Sequence, residues 1–186
     1  LPAEWAGQPF SLPVYVHNNN IIAGDNTIHT LMSVTAIAQA PRPHAETAHW
    51  VATQTGRSLL FFETVAGARG ARIVRPPWTV TRAETSCAAP TSAFFLDAEH
   101  LVHSNSQGMV VVTKVDWAVK TIECVDEQAM DVEQLLAVHR PTQRILASCR
   151  KAARVLHFDP DTRRLVRVGP RPPRRIQQTD AGQFVE

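Results

Sequence analysis

Apolar and β-branched residues recur along this chain at period two, in short runs broken by polar turns. Such runs occupy residues 13–16, 20–23, 27–32, 49–53, 58–62, 71–74 and 78–81, then 92–96, 100–103, 109–113 and 119–122. The turns between them carry residues that accept left-handed or proline-set backbone. Examples are Asn18-Asn19-Asn20, Gly24-Asp25-Asn26, Thr55-Gly56-Arg57, Asn105-Ser106-Gln107-Gly108 and Asp159-Pro160-Asp161. Roughly a dozen short strands with tight connections predict an all-β protein of antiparallel pairs.

One stretch breaks the period. Within 126–136, Ala129, Val132, Leu135 and Leu136 fall near helical spacing. Acidic residues gather toward its start, where they suit a helix dipole. The pattern predicts for 126–138 either a short helix or a linker into a strand at 135–139, and it leaves both open.

The plan of residues 92–125 returns in residues 135–168. Leu101-Val102-His103-Ser104 corresponds to Ile145-Leu146-Ala147-Ser148, at an offset of 44 residues from Leu101 to Ile145. Fainter copies lie upstream, so the chain divides into units of about 10–40, 44–82, 92–125 and 135–168, with a Pro/Arg-rich exit segment over 169–186. The run Arg154-Val155-Leu156-His157-Phe158-Asp159 resembles the third strand of a WD40-type blade, which ends in an aromatic-Asp pair. The resemblance covers mainly 92–168. No Trp-Asp dipeptide closes a strand and no Gly-His pair opens a unit, so the repeats are divergent. The resemblance implies β-propeller-like blades, four of them in a small ring or an arc of a larger one. A β-sandwich and paired polo-box-like modules, each a sheet crossed by a helix, are the alternative architectures.

Composition narrows the class. With 186 residues, 44% hydrophobic and 19% charged, the chain is too apolar for intrinsic disorder and large enough for a real core. No apolar run approaches the roughly 18–20 residues that span a bilayer. Three cysteines (Cys87, Cys124 and Cys149) with no Cys-x-x-Cys pair argue for a reduced, intracellular setting. A first residue of Leu1, not methionine, predicts that the chain is a piece of a longer protein.

Charge changes the picture more. The formal net charge is +2, yet residues 94–139 hold eight acidic and two basic groups, whereas 140–175 hold eleven basic and two acidic ones. Arginine dominates the basic stretch, and its planar fork suits carboxylates and phosphates. Arg150, Lys151 and Arg154, with Arg140 and Arg144, are therefore the expected partner-binding residues.

Catalytic signals are sparse. His100 and His103 have odd separation and point to opposite faces of a strand, which defeats shared metal ligation. There is no Gly-x-Ser-x-Gly elbow, and Gly67-Ala68-Arg69-Gly70 lacks the lysine of a phosphate-binding loop. The sequence thus predicts no catalytic residue, no metal and no cofactor. It predicts a non-enzymatic protein–protein interaction domain of a larger intracellular assembly. The alternative is a binder of phosphorylated or acidic ligands, nucleic-acid backbone included, through 140–175.

Overall fold

The computed structural model describes residues 5–7, 14–30, 32–41, 46–55, 58–67, 70–81, 90–168, 177–178 and 184–185. Strand β1 (Trp5–Ala6) comes first among the described strands. A first sheet holds β2 (Val14–His17), β3 (Asn20–Ala23) and β4 (Asn26–His29). A second holds β5 (Val34–Gln39), β6 (Ala48–Gln54), the long β7 (Ser58–Gly67), β8 (Gly70–Ile73) and β9 (Trp78–Thr81), where β8 and β9 pair with opposite halves of β7. The third sheet is β10 (Pro90–Phe95), β11 (His100–Asn105), β12 (Met109–Asp116) and β13 (Thr121–Ala129). The fourth is β14 (Val132–His139), β15 (Arg144–Cys149), β16 (Ala152–Asp159) and β17 (Arg164–Arg167), and β1 pairs with the outer edge of β14. The short strands β18 (Gln177–Gln178) and β19 (Phe184–Val185) pair with each other.

Every described pairing is antiparallel, and apart from β1 beside β14 and β9 beside β7 the order within each sheet follows the chain. Period-two alternation explains how the sheets stack. On β6 and β7, Trp50, Ala52, Leu60 and Phe62 turn toward the first sheet, meeting Val14, Ile21, Ala23 and Ile28. Val51, Leu59 and Phe61 turn the other way, onto Ala93, Phe95 and Leu101 of the third sheet. The third and fourth sheets meet through Phe94, Val102 and Val112 against Ile145, Leu156 and Phe158. A sheet buried on both faces must be apolar at odd and even positions alike, which is why these strands read as continuous hydrophobic runs. The buried indole of Trp50 finds a partner, as its Nε1 donates to Thr64 Oγ1 at 2.8 Å.

This is an arc of antiparallel, propeller-like blades, and among the described residues no α-helix crosses a sheet, as a polo-box module would require. Two boundaries differ from the sequence reading. β5 falls at the end of the expected first unit, yet it pairs with β6 and leads the second sheet. The expected boundary between the first two units therefore falls between two paired strands of one sheet. The expected helix or linker at 126–138 is neither. β13 continues to Ala129, the backbone turns at Met130 and Asp131 (φ 57°), and β14 begins at Val132. The Gly108 carbonyl fixes that turn by accepting from the Met130 and Val132 amides at 3.0 and 3.4 Å.

In an antiparallel meander, alternate connections share a rim. Turns at 106–108, 130–131 and 150–151 form one rim, and those at 96–99, 117–120, 140–143 and 160–163 form the other. Asp116 and Asp159, each ending the third strand of its sheet, cap equivalent turns on the second rim through Oδ1. Lys120 and Arg163 take left-handed φ of 61° and 55° there. The exit segment over 169–186 lies outside the described residues apart from β18 and β19, as do Cys87 and His44.

Candidate functional site

The second rim between the third and fourth sheets gathers the most reactive geometry. The connection from β10 to β11 is only four residues, and Asp97 closes it. Its Oδ1 accepts the Glu99 and His100 amides at 2.9 and 2.7 Å. The same carboxylate meets His100 Nδ1 at 2.9 Å from Oδ2 and 3.0 Å from Oδ1. An ionised carboxylate only accepts, so in the neutral ring Nδ1 carries the proton and Nε2 presents a lone pair. Burial pushes the Asp97 pKa up, but the hydrogen bonds from His100 and from the two amides outweigh it and hold the carboxyl below its ordinary range.

The surroundings are mixed in charge. The His100 ring lies 5.8 Å from Phe158 of the fourth sheet, with 20% of its side chain exposed. Lys114 is the cross-strand partner of His100, and Glu123 is the partner of Lys114. Paired residues share a face, so a base, a cation and a carboxylate stand in one row. Arg163 reaches that row from the fourth sheet, 3.6 Å from Glu123. Gln143 Nε2 donates to the Leu96 carbonyl at 3.3 Å, tying the fourth sheet to the same turn. A histidine held by a carboxylate is a competent general base, and nearby cations stabilise a developing oxyanion.

Two other polar groups are occupied by structural work. His49 spends Nε2 on Glu63 Oε1 at 2.9 Å, and its ring is stacked 4.2 Å from Trp117. With Arg75 Nε 3.5 Å from the other Glu63 oxygen, this pair braces the second sheet against the third. The hydroxyls of Thr91 and Ser92 both bond that of Ser104, and Ser92 Oγ accepts the buried Leu135 amide at 2.8 Å.

The expected partner-binding residues do not form one surface. Arg150 and Lys151 occupy the exposed turn between β15 and β16, and Arg154 follows on β16 opposite Ala147. Arg140 and Arg144 stand at the far end of the same strands, about 20 Å away at roughly 3.3 Å per residue. Arg140 is half-buried and donates through Nε to the Phe95 carbonyl at 3.0 Å, so it joins sheets instead of facing a ligand. Burial lowers its pKa. Of the eleven basic residues in 140–175, the eight described ones are thus divided between the two rims by the strand length between turns, and do not form one surface. His100 and His103 do face opposite ways, and no group of three metal-ligating side chains occurs among the described residues. Sequence reasoning missed the Asp97–His100 pairing; the signal was an Asp three residues before a His across a turn.

No protein-family profile matches the chain, and no curated protein sequence is significantly similar to it. Solved structures are similar in fold. A protein provisionally named 6-phosphogluconolactonase from Bacteroides fragilis superposes with a TM-score of 0.55 at 14% identity, over 76% of this chain and 40% of that one. One of the same provisional name from Bacteroides uniformis gives 0.56 at 14%, over 83% and 46%. The complex of SREBP–SCAP binding domains from fission yeast gives 0.52 at 10%, over 95% and 56%. The chain spans less than half the length of the two Bacteroides proteins. These likenesses establish a β-propeller-like fold. They also correct the expectation of a non-enzymatic interaction domain: this architecture is shared with proteins named as lactone hydrolases, so the fold gives no ground for excluding catalysis. No described helix is long and apolar enough to cross a membrane.

Proposed function

We propose that this chain contributes blades to a β-propeller hydrolase that opens a lactone ring, with His100 as general base and Asp97 as its positioning residue. The observation that carries the reading is the Asp97–His100 bond on an inter-sheet rim, which fixes the tautomer and leaves Nε2 to take a proton. Water attacks the lactone carbonyl while Nε2 accepts its proton. Asp97 holds the resulting imidazolium, and Lys114, on the same face, offsets charge on the carbonyl oxygen. Collapse breaks the ring C–O bond, and the imidazolium returns the proton to the departing alkoxide, giving a hydroxy acid. The names of the two Bacteroides neighbours support a sugar lactone as the substrate class. A divergent WD40-type ancestry of residues 92–168 belongs to the same proposal, supported by the matching Asp116 and Asp159 turns.

The test is acid release from glucono-1,5-lactone and its 6-phosphate in a pH-stat, corrected for hydrolysis in buffer. His100→Gln should lower the enzymatic rate about 10²–10⁴-fold, the usual range for losing a positioned base. A wild-type rate no greater than buffer, or a His100→Gln rate equal to wild type, sinks the reading.

The dyad also predicts acid lability. The folded Asp97 pKa lies below its unfolded value, so the stabilisation is present above about pH 4 and is lost as pH falls through the folded pKa. Wild type should melt higher than Asp97→Asn at pH 7, and the gap should narrow below pH 4. A gap that stays constant down to pH 2 would contradict the assignment.

A further inference from the structure

A cleft of about 490 Å³ lies between the first and second sheets, far along the arc from the Asp97–His100 rim. Its walls are apolar: Ile28 from β4, Ile73 at the end of β8, and Val74, Pro76 and Pro77 from the connection to β9. The Ile73 amide donates to Asn26 Oδ1 at 3.2 Å, which ties the two sides together without a ligand. Two successive prolines fix φ on one wall, so little ordering remains to be paid on binding. The volume falls within the roughly 300–1,000 Å³ of small-molecule sites.

The polar lining is one-sided. His29 and Arg75 face the cleft, and no aspartate or glutamate is among the described residues that line it. Asn20 Oδ1 orients the His29 ring from Nδ1 at 3.0 Å. Arg75 meets Glu63 only through Nε, at 3.5 Å, and its side chain is 65% exposed. Its terminal nitrogens supply further donors in the fork geometry that fits a carboxylate.

We propose that this cleft binds a small organic anion: an apolar ring or chain seated against Ile73, Val74 and the prolines, with its acidic group on Arg75 and His29. The apolar body accounts for the walls and the anion for the charge. The occupant is a small molecule because the walls are preformed and the cleft has the volume for one.

The experiment titrates the whole chain with 1-anilinonaphthalene-8-sulfonate, a fluorescent apolar anion, and in parallel with the uncharged N-phenyl-1-naphthylamine. Saturable one-to-one binding of the sulfonate is expected. Arg75→Gln should weaken it about tenfold, equivalent to about 1.4 kcal/mol, and should leave the neutral dye unaffected. Val74→Glu, at a position 37% exposed, should weaken both dyes without lowering the melting temperature. Benzoate should compete with the sulfonate. Equal weakening of both dyes by Arg75→Gln would show an apolar cleft without anion selectivity and overturn the proposal. So would unsaturable binding, or binding unchanged in both variants. Lactone hydrolysis measured on the same variants should remain at wild-type rate, since neither residue belongs to the rim site.

Discussion

Leu156→Asp is expected to abolish cooperative folding. Leu156 sits at the centre of β16, is 1% exposed, and packs with Val102, Val112, Val138, Ile145 and Phe158 where the third and fourth sheets meet. Its cross-strand neighbours are Ile145 and Arg167. Ile145 offers no polar atom, and Arg167 is engaged with the Met130 carbonyl at 3.3 Å. A carboxylate here loses water and gains no ready partner, a cost that exceeds about 4 kcal/mol and consumes much of the roughly 5–15 kcal/mol that holds a typical domain together. Leu156→Ala separates cavity from charge and should cost about 2–5 kcal/mol with folding still cooperative. Urea unfolding followed by tryptophan fluorescence reads both. An aspartate variant within about 1 kcal/mol of wild type would place β16 at an exposed edge and refute the stacking described here.

The periodicity of β12 and β16 made both strands legible, because Met109-Val110-Val111-Val112 and Val155-Leu156-His157-Phe158 each sit between unambiguous turns. The stretch 126–138 was opaque for a physical reason. β14 departs from its pairing register twice, between Val132 and Gln134 and between Leu135 and Ala137. Each irregularity shifts the phase of alternation, so the buried apolar positions become Val132, Leu135, Ala137 and Val138. Spacing by three imitates a helix. The acidic residues that seemed to suit a helix dipole belong to β13, where Asp126 and Gln128 share one face. The candidate site was half legible: Asp97 and His100 were visible as residues, but their bond depends on the turn that Asp97 itself closes. The basic stretch misled because proximity in sequence is undone by a strand. Arg144 and Arg150 flank β15, and six residues of extended chain carry them to opposite rims.

That shared face of β13 carries the second large effect. Along β17, the amide and carbonyl of Leu165 point away from β16, at an edge where another strand would pair. No strand of the described chain does so. Asp126 Oδ2 instead accepts the Leu165 amide at 2.7 Å, and Gln128 Nε2 donates to the Leu165 carbonyl at 2.7 Å. Gln128 Nε2 also donates to Asp126 Oδ2 at 2.7 Å, so the two side chains hold each other in the geometry of a strand's donor and acceptor. They cover an edge and join the outer strands of two blades in one device. Asp126→Ala removes a charged acceptor and leaves a backbone amide beside the buried Leu165 without it, which should cost about 1.5–3 kcal/mol. Gln128→Ala should cost less, about 1 kcal/mol, since a carbonyl tolerates loss of a neutral donor better than an amide tolerates loss of a carboxylate. The two losses should not add: a double-mutant cycle is expected to show about 0.5–1.5 kcal/mol of coupling, because each residue positions the other. Strict additivity in urea denaturation would mean that the side chains act independently and that the blades are held together by the apolar contacts of Phe158 and Leu165 alone.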